Sequence, residues 1–227
     1  MKSPEIITTS DTSNTLYSPE IDETYHSRHG AIQESEYIFI KKGLSYFPFE
    51  KYPTLDILEI GLGTALNALL TLIRKPENQT IHYTALEPFP ITTKTASQLN
   101  YSTKLKAATH QFLQFHTCDF NKDHKLSTTF TFKKMNTTFQ KNKKTESHFK
   151  NKTYTLIYYD AFGPRAQANM WTKECFKKAY SLLMKNGALV TFCAKGEVKR
   201  KMKEAGFSIE TLPGPPGKRE ITRAIKK

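Results

Sequence analysis

Short apolar runs recur along the chain, and most are followed by a stretch in which apolar residues return at helical spacing. LDILEIG at 55–61 leads through a glycine turn into LGTALNALLTLI, where Leu66, Leu69, Leu70 and Ile73 share one helical face. IHYTALE at 81–87, QFHTCDF at 114–120 and TYTLIYYDAF at 153–162 read as the second, third and fourth strands, and GALVTFCA at 187–194 as the fifth. Helices are predicted over 171–184 and 197–205. Strands that are apolar on both faces and separated by helices form a parallel sheet covered on both sides, so the pattern predicts a doubly wound α/β fold. FSIETL and REITRAI, joined by PGPPGK with no helix between them, pair antiparallel at the sheet edge. Ahead of the sheet, SDTSN between two runs bearing threonine and tyrosine predicts a hairpin. GAIQESEYIFIKKGL at 30–44 places Ile32, Ser35, Tyr37, Ile38 and Leu44 on an irregular apolar face and predicts a helix ending near Gly43. The expected division is an N-terminal hairpin and helix extension over 1–45 and a main domain over 46–227. The latter is interrupted at 121–152 by a low-complexity segment rich in Lys, Thr, Asn and Phe, read as an inserted loop.

Composition narrows the class. Hydrophobic residues make up 38% of the 227, with 15 Phe and 11 Tyr, enough to fill a core and inconsistent with wholesale disorder. Cys118, Cys175 and Cys193 are odd in number and form no CxxC pair, which argues against a disulfide framework or zinc knuckle and predicts free thiols and no metal. No apolar run approaches the roughly 20 residues of a membrane helix, and MKSPEIITTS lacks the apolar stretch of a secretion signal. The expectation is a soluble cytoplasmic monomer with no membrane partner. The net charge of +13 sits in two segments: 121–152, with nine Lys against two acids, and 195–227, with ten Lys or Arg against four Glu. A neutral body with two basic surfaces suits a polyanion such as nucleic acid, although solvated lysine accounts for the same numbers.

Candidate chemistry clusters where strands end. Glu59, Gly61 and Gly63 lie at the junction of the first strand and first helix, where glycines let backbone approach a ligand outside the carboxyl ends of the strands. The third glycine of a dinucleotide fingerprint is missing and no GKS or GKT follows, so the loop suits a cofactor without phosphates. Glu87, at the second strand end, can accept hydrogen bonds from both ribose hydroxyls; Asp119, at the third, can face an adenine amino group; Asp160 ends the fourth. Each acid alone reads equally as a helix cap or solvated strand end. Together they form an acidic rim that repels pyrophosphate and suits a cationic sulfonium, as in S-adenosylmethionine.

DETYHSRHGAIQESEYIFIKKGL, LEIGLGTALNALL, YYDAFGPRAQANMW, KGEVKRKMKEAGF and PGPPGKRE occur in one order over nearly the whole chain, and together they resemble the MnmC methyltransferase module, also called MnmD. The resemblance implies a Rossmann-like class I S-adenosylmethionine-dependent methyltransferase fold, mostly parallel with an antiparallel edge strand. It also implies methylation of the aminomethyl group on the wobble uridine of certain tRNAs, after or beside a separate system that forms that group. On this resemblance the cofactor loop falls on Glu59, Gly61 and Gly63, the ribose acid on Glu87, the adenine-side acid on Asp119, and the catalytic aspartate, also beside the cofactor, on Asp160. Tyr25, His29, Phe162 and Trp171 become candidates for stacking an extruded anticodon base, and Arg28 and Arg165 flank the site. Lys195, Lys199, Arg200, Lys203, Lys218 and Arg219 become candidates for phosphate contacts. The flavin-dependent oxidase of the bifunctional members is expected to be missing. Two other readings remain open: an aminopropyltransferase of the polyamine synthase type, and a noncatalytic RNA-binding protein.

Overall fold

Eight strands form the main sheet in the order β10-β11-β9-β8-β4-β5-β7-β6. The structure, a computed structural model, describes residues 3–140, 149 and 151–227. β4 (Thr54–Ile60), β5 (Thr80–Leu86), β7 (Phe130–Met135), β8 (Tyr154–Tyr159) and β9 (Leu183–Thr191) run parallel. β6 (Asp123–Ser127) closes one edge antiparallel, and β10 (Ser208–Pro213) and β11 (Glu220–Ile225) close the other as a hairpin. The period of two in the strands divides the core: Ile57, Leu156 and Tyr158 face one layer of packing, while Leu58, Ile157 and Tyr159 face the other. All six residues of β8 are buried, as a central strand covered by helices on both faces requires.

The helix over Leu66–Arg74 follows β4 with Leu66, Leu69 and Leu70 buried. Helices Lys173–Leu182 and Gly196–Glu204 pack on the opposite face, around Trp171 and Phe176. Ahead of the sheet, β1 (Glu5–Thr8), β2 (Asn14–Ser18) and the short β3 (Glu23–Thr24) form a separate antiparallel sheet, turning at Thr9–Ser13 as the SDTSN signal predicts. The helix expected at 30–44 begins as α-helix at Ala31–Ser35 and widens into a π-helix at Glu36–Lys41, with the Lys42 amide donating to the Tyr37 carbonyl. The widened turn lets the consecutive Ile38, Phe39 and Ile40 all be buried, which explains the irregular apolar face.

One strand assignment is overturned. QFHTCDF at 114–120 is not the third strand: Thr109–Thr117 is helical, burying Phe112 and Phe115 on one face. The third parallel strand is β7, inside the segment read as an insertion. Phe130, Phe132 and Lys134 point to one side of it, and the two phenylalanines pack on Tyr83 and Phe115. Lys134 disguised the strand as charged loop, but its side chain is buried, with Nζ donating to the carbonyls of Phe115 (3.2 Å) and His116 (2.6 Å) at the helix C-terminus. Residues 121–140 therefore belong largely to the sheet, and 141–148 and 150 of the expected insertion lie outside the described residues. No helix among the described residues is long and apolar enough to cross a membrane, and no group of His, Cys, Asp or Glu among them could hold a metal ion. The three cysteines are free thiols.

Candidate functional site

A cavity of about 600 Å³ opens where β4, β5, β7 and β8 end at their carboxyl termini, and the segment 23–27 and the β10–β11 loop form its outer wall. Its floor is the turn after β4. Gly61 (φ +90°) lies so close to β8 that a Cβ would stand 2.8 Å from the Asp160 carbonyl oxygen; Gly63 (φ +51°) would meet the Tyr25 ring at 3.1 Å. Only glycine combines these backbone angles with that closeness. The Gly63 amide donates to Glu87 Oε2 at 2.8 Å, and the Phe89 amide to Glu87 Oε1 at 2.8 Å. Burial raises the Glu87 pKa, while the two amides pull it back. Each carboxylate oxygen keeps acceptor capacity for a ligand hydroxyl.

Asp160, at the end of β8, lies across the cavity from this cradle. Its Oδ2 accepts from Asn67 Nδ2 at 2.8 Å. Burial pushes the carboxyl up to about 7; the Glu34 charge adds to the rise, and the Asn67 hydrogen bond and Lys218 oppose it. The same Asn67 nitrogen donates to Glu59 Oε1 at 2.9 Å. Glu59 is fully buried, and burial followed by repulsion from Asp160 holds its carboxyl well above the usual range. Lys218 Nζ sits 3.2 Å from Glu34 Oε1 and 4.8 Å from the Phe192 ring centre. Tyr25 stands edge-on to Phe162, with ring centres 5.0 Å apart, and burial with the Glu87 charge pushes its hydroxyl up to about 12. Among the described residues, four carboxyl side chains (Glu23, Glu34, Glu87 and Asp160) line the cavity against one lysine, Lys218. That balance suits a cationic ligand and opposes a pyrophosphate.

The structure thus brings together Gly61, Gly63, Glu87, Asp160, Tyr25, Phe162 and Lys218 from the sequence-based set. It separates others. Asp119 does not end a strand: it follows the helix over Thr109–Thr117, its side chain is 65% exposed, and it pairs with Lys122 at 2.8 Å instead of facing the cavity. The corresponding strand end is that of β7, and the residues there that line the cavity are Thr137, Thr138, Phe139 and Gln140. Glu59 lies behind Asn67, outside the cavity lining. Trp171 is a core residue, 1% exposed, whose Nε1 donates to the Phe162 carbonyl at 2.7 Å. It buttresses the cavity wall and offers no stacking face.

His29 is exposed outside the cavity, against Gly217. Arg165 reaches back to Glu23 at 3.4 Å and ties the loop after β8 to the N-terminal sheet. Lys199 is committed to Glu220 and Thr211, each at 3.0 Å, which leaves it poorly placed for phosphate. Arg28, Lys195, Arg200 and Arg219 are exposed beyond the cavity.

Several lining residues escaped the sequence reading. Asn67 stood only as a missing glycine, although its place one turn past the glycine loop aims it at the strand ends. Phe89, 66% exposed, stands on the cavity rim between Pro88 and Pro90; a large apolar side chain left in water beside an acid was the available signal.

Comparison with known proteins gives the family and the fold. A family model described as S-adenosyl-L-methionine-dependent methyltransferase matches residues 102–227. The tRNA 5-methylaminomethyl-2-thiouridine biosynthesis bifunctional protein MnmC of Pseudoalteromonas atlantica is 28% identical over 220 residues, covering 90% of this chain and 31% of that protein. The chain spans about a third of the length of such curated relatives. Among solved structures, MnmC2 from Aquifex aeolicus superposes with a TM-score of 0.72 at 20% identity, over 100% of this chain and 71% of the other. Spermidine synthase from Thermotoga maritima follows at 0.58 and 15%, with the same coverage of both chains. These structural likenesses establish a shared fold.

Proposed function

The chain belongs to the S-adenosyl-L-methionine-dependent methyltransferase family, and from that premise we propose that it methylates the aminomethyl group of 5-aminomethyl-(2-thio)uridine at the wobble position of tRNA. The observation that carries this reading is the opposition of two carboxyl groups across one glycine-floored cavity: Glu87, braced by backbone amides, and Asp160, held by a single side chain. S-adenosylmethionine, the cofactor, supplies an electrophilic methyl on a sulfonium. The residues present fit it: the Gly61–Gly63 turn leaves room for close approach, Glu87 accepts from the ribose hydroxyls, and the acid-rich lining favours its positive charge. The polar residues after β7, in place of an acid, line the side where the adenine would lie.

Methyl transfer to nitrogen is an in-line displacement that needs a neutral amine with its lone pair aimed at the methyl. Asp160 accepts a hydrogen bond from the amine N–H and so fixes the lone pair. With its pKa raised to about 7, it also takes the proton that the product amine sheds, which a carboxylate near 4 does poorly. Tyr25 and Phe162 wall the site against water, and Phe162 presents the aromatic surface on which an extruded base stacks. Arg28, Lys195, Arg200 and Arg219 lie outside the cavity as phosphate contacts for the anticodon stem and loop. This reading carries with it a cytoplasmic location and a second system that installs the aminomethyl group.

The aminopropyltransferase alternative shares the fold, but free cationic amines do not call for a net charge of +13. Incubating undermodified tRNA with the protein and S-adenosylmethionine, followed by mass spectrometry of the nucleosides, should show one methyl gained on aminomethyluridine and none with Asp160→Ala. Transfer to putrescine-like amines with none to tRNA would reverse the assignment.

A further inference from the structure

The hydrogen-bond chain behind Asp160 has no part in the reaction as described. Glu59 sits at 0% exposure on β4, an unusual place for a carboxyl group. Its Oε1 accepts from Asn67 Nδ2, and its Oε2 has no partner among the described residues. The Tyr83 hydroxyl, also buried, faces this carboxyl from β5 and stabilises its charged form. Asn67 is 2% exposed, at the start of the helix after the glycine loop. Its amide nitrogen spends both protons on carboxyl oxygens, one on Glu59 and one on Asp160. An amide nitrogen has two protons and no more, so Nδ2 is saturated, while Asn67 Oδ1 has no partner among the described residues.

We propose that Asn67 is the positioning residue of the site. Backed by the buried Glu59 carboxyl, its amide fixes Asp160 Oδ2 and leaves Oδ1 as the oxygen offered to the amine. This rests on reading Asp160 as the group that binds the amine.

The arrangement has a physical logic. A carboxylate facing a cavity rotates unless one oxygen is anchored, and a cationic anchor would lower its pKa and weaken it as a proton acceptor. An amide anchor is neutral. Glu59 Oε1 orients that amide, and burial holds the Glu59 carboxyl well above the usual range, which disfavours a second negative charge at the strand ends. The other groups facing Asp160 come from different elements: Glu34 from the first helix, Lys218 from the β10–β11 loop, and Asn67 itself from the helix over Leu66–Arg74. Glu34 and Lys218 pair with each other and act on Asp160 in opposite directions, Glu34 raising its pKa and Lys218 lowering it. Among the described residues, Asn67 is the one uncharged side-chain donor on the carboxyl group.

The test is a ¹³C NMR titration of the Asp160 carboxyl in the free protein, assigned with Asp160→Asn, for wild type, Asn67→Leu and Glu59→Gln. Losing the amide donor should move the Asp160 midpoint upward by about one pH unit, because the charged form loses its hydrogen bond. Glu59→Gln keeps an acceptor for Asn67 and should move it much less. In the wild-type protein, needing no substitution, the Asn67 side-chain amide resonances should be protected from solvent exchange and inflect at the Asp160 midpoint. An unchanged midpoint in a folded Asn67→Leu protein, or an Asn67 amide that ignores the Asp160 titration, overturns the proposal. Because no tRNA enters these measurements, a wild-type protein that passes them yet transfers no methyl to tRNA would refute the substrate assignment alone.

Discussion

The ends of β5 and β8 carry the same kind of side chain in the same cavity and treat it in opposite ways. Glu87 is gripped by two backbone amides, which cannot rotate away and which hold both oxygens. Asp160 is held, among the described residues, at one oxygen by one side chain and is pushed up to about 7. Burial acts on both, so burial alone does not separate them. The donors do: a carboxylate pinned by backbone is a fixed acceptor for binding, and a carboxylate with one oxygen free and a pKa near neutrality is poised to exchange a proton.

The sharpest way to break this contrast is to remove each acid. Asp160→Ala should lower kcat by about 10²–10³-fold while S-adenosylmethionine affinity, measured by calorimetry, changes little. Glu87→Ala should do the reverse, weakening cofactor binding by on the order of tenfold or more. If both variants lose affinity equally, the two strand ends do not differ in kind.

A second contrast lies in pH. Methyl transfer at saturating cofactor should rise about tenfold per unit below a midpoint near 7 and level off above it, as Asp160 ionises. The same shift has a stability consequence of opposite sign. Because the folded carboxyl titrates near 7 and the unfolded one near 3.8, the unfolded state releases its proton first as pH rises. Stability is therefore full below about pH 4, falls between 4 and 7, and stays lowered above 7. Asp160→Asn escapes this penalty and should be more stable than wild type at pH 8 by on the order of 1–2 kcal/mol, a few degrees in melting temperature, with the advantage gone at pH 4. Equal melting temperatures at pH 8 would mean the carboxyl is not destabilised by its surroundings.

The smallest effects belong to the basic surface, away from both strand ends. Arg219→Gln should reduce the slope of log affinity for tRNA against log salt by about one phosphate contact. Lys199→Gln should leave the slope unchanged, because Lys199 is already paired with Glu220. Equal slopes for the two would remove the distinction.

The sequence made β4, β5, β8 and the acids after β5 and β8 legible, because central parallel strands are apolar on both faces and stand out from their surroundings. β7 was hidden for a physical reason. Its buried Lys134 serves a helix terminus contributed by a different part of the chain, and a lysine in a strand reads as surface until the carbonyls it caps are known. The misplaced strand took Asp119 with it, since a rim position is inherited from the strand that precedes it. Asn67 could not be valued from sequence because its worth lies in two partners, one 8 and one 93 residues away. Trp171 illustrates the reverse: an aromatic near a presumed site turned out to brace the wall from inside.

The contact of Lys218 with Glu34 spans almost the full length of the polypeptide. One side of the cavity is therefore stitched from the helix over Ala31–Ser35 and the β10–β11 hairpin, two segments far apart in sequence. The central strands alone leave that side open, so the pocket is a product of tertiary docking and is completed only when the hairpin meets the helix.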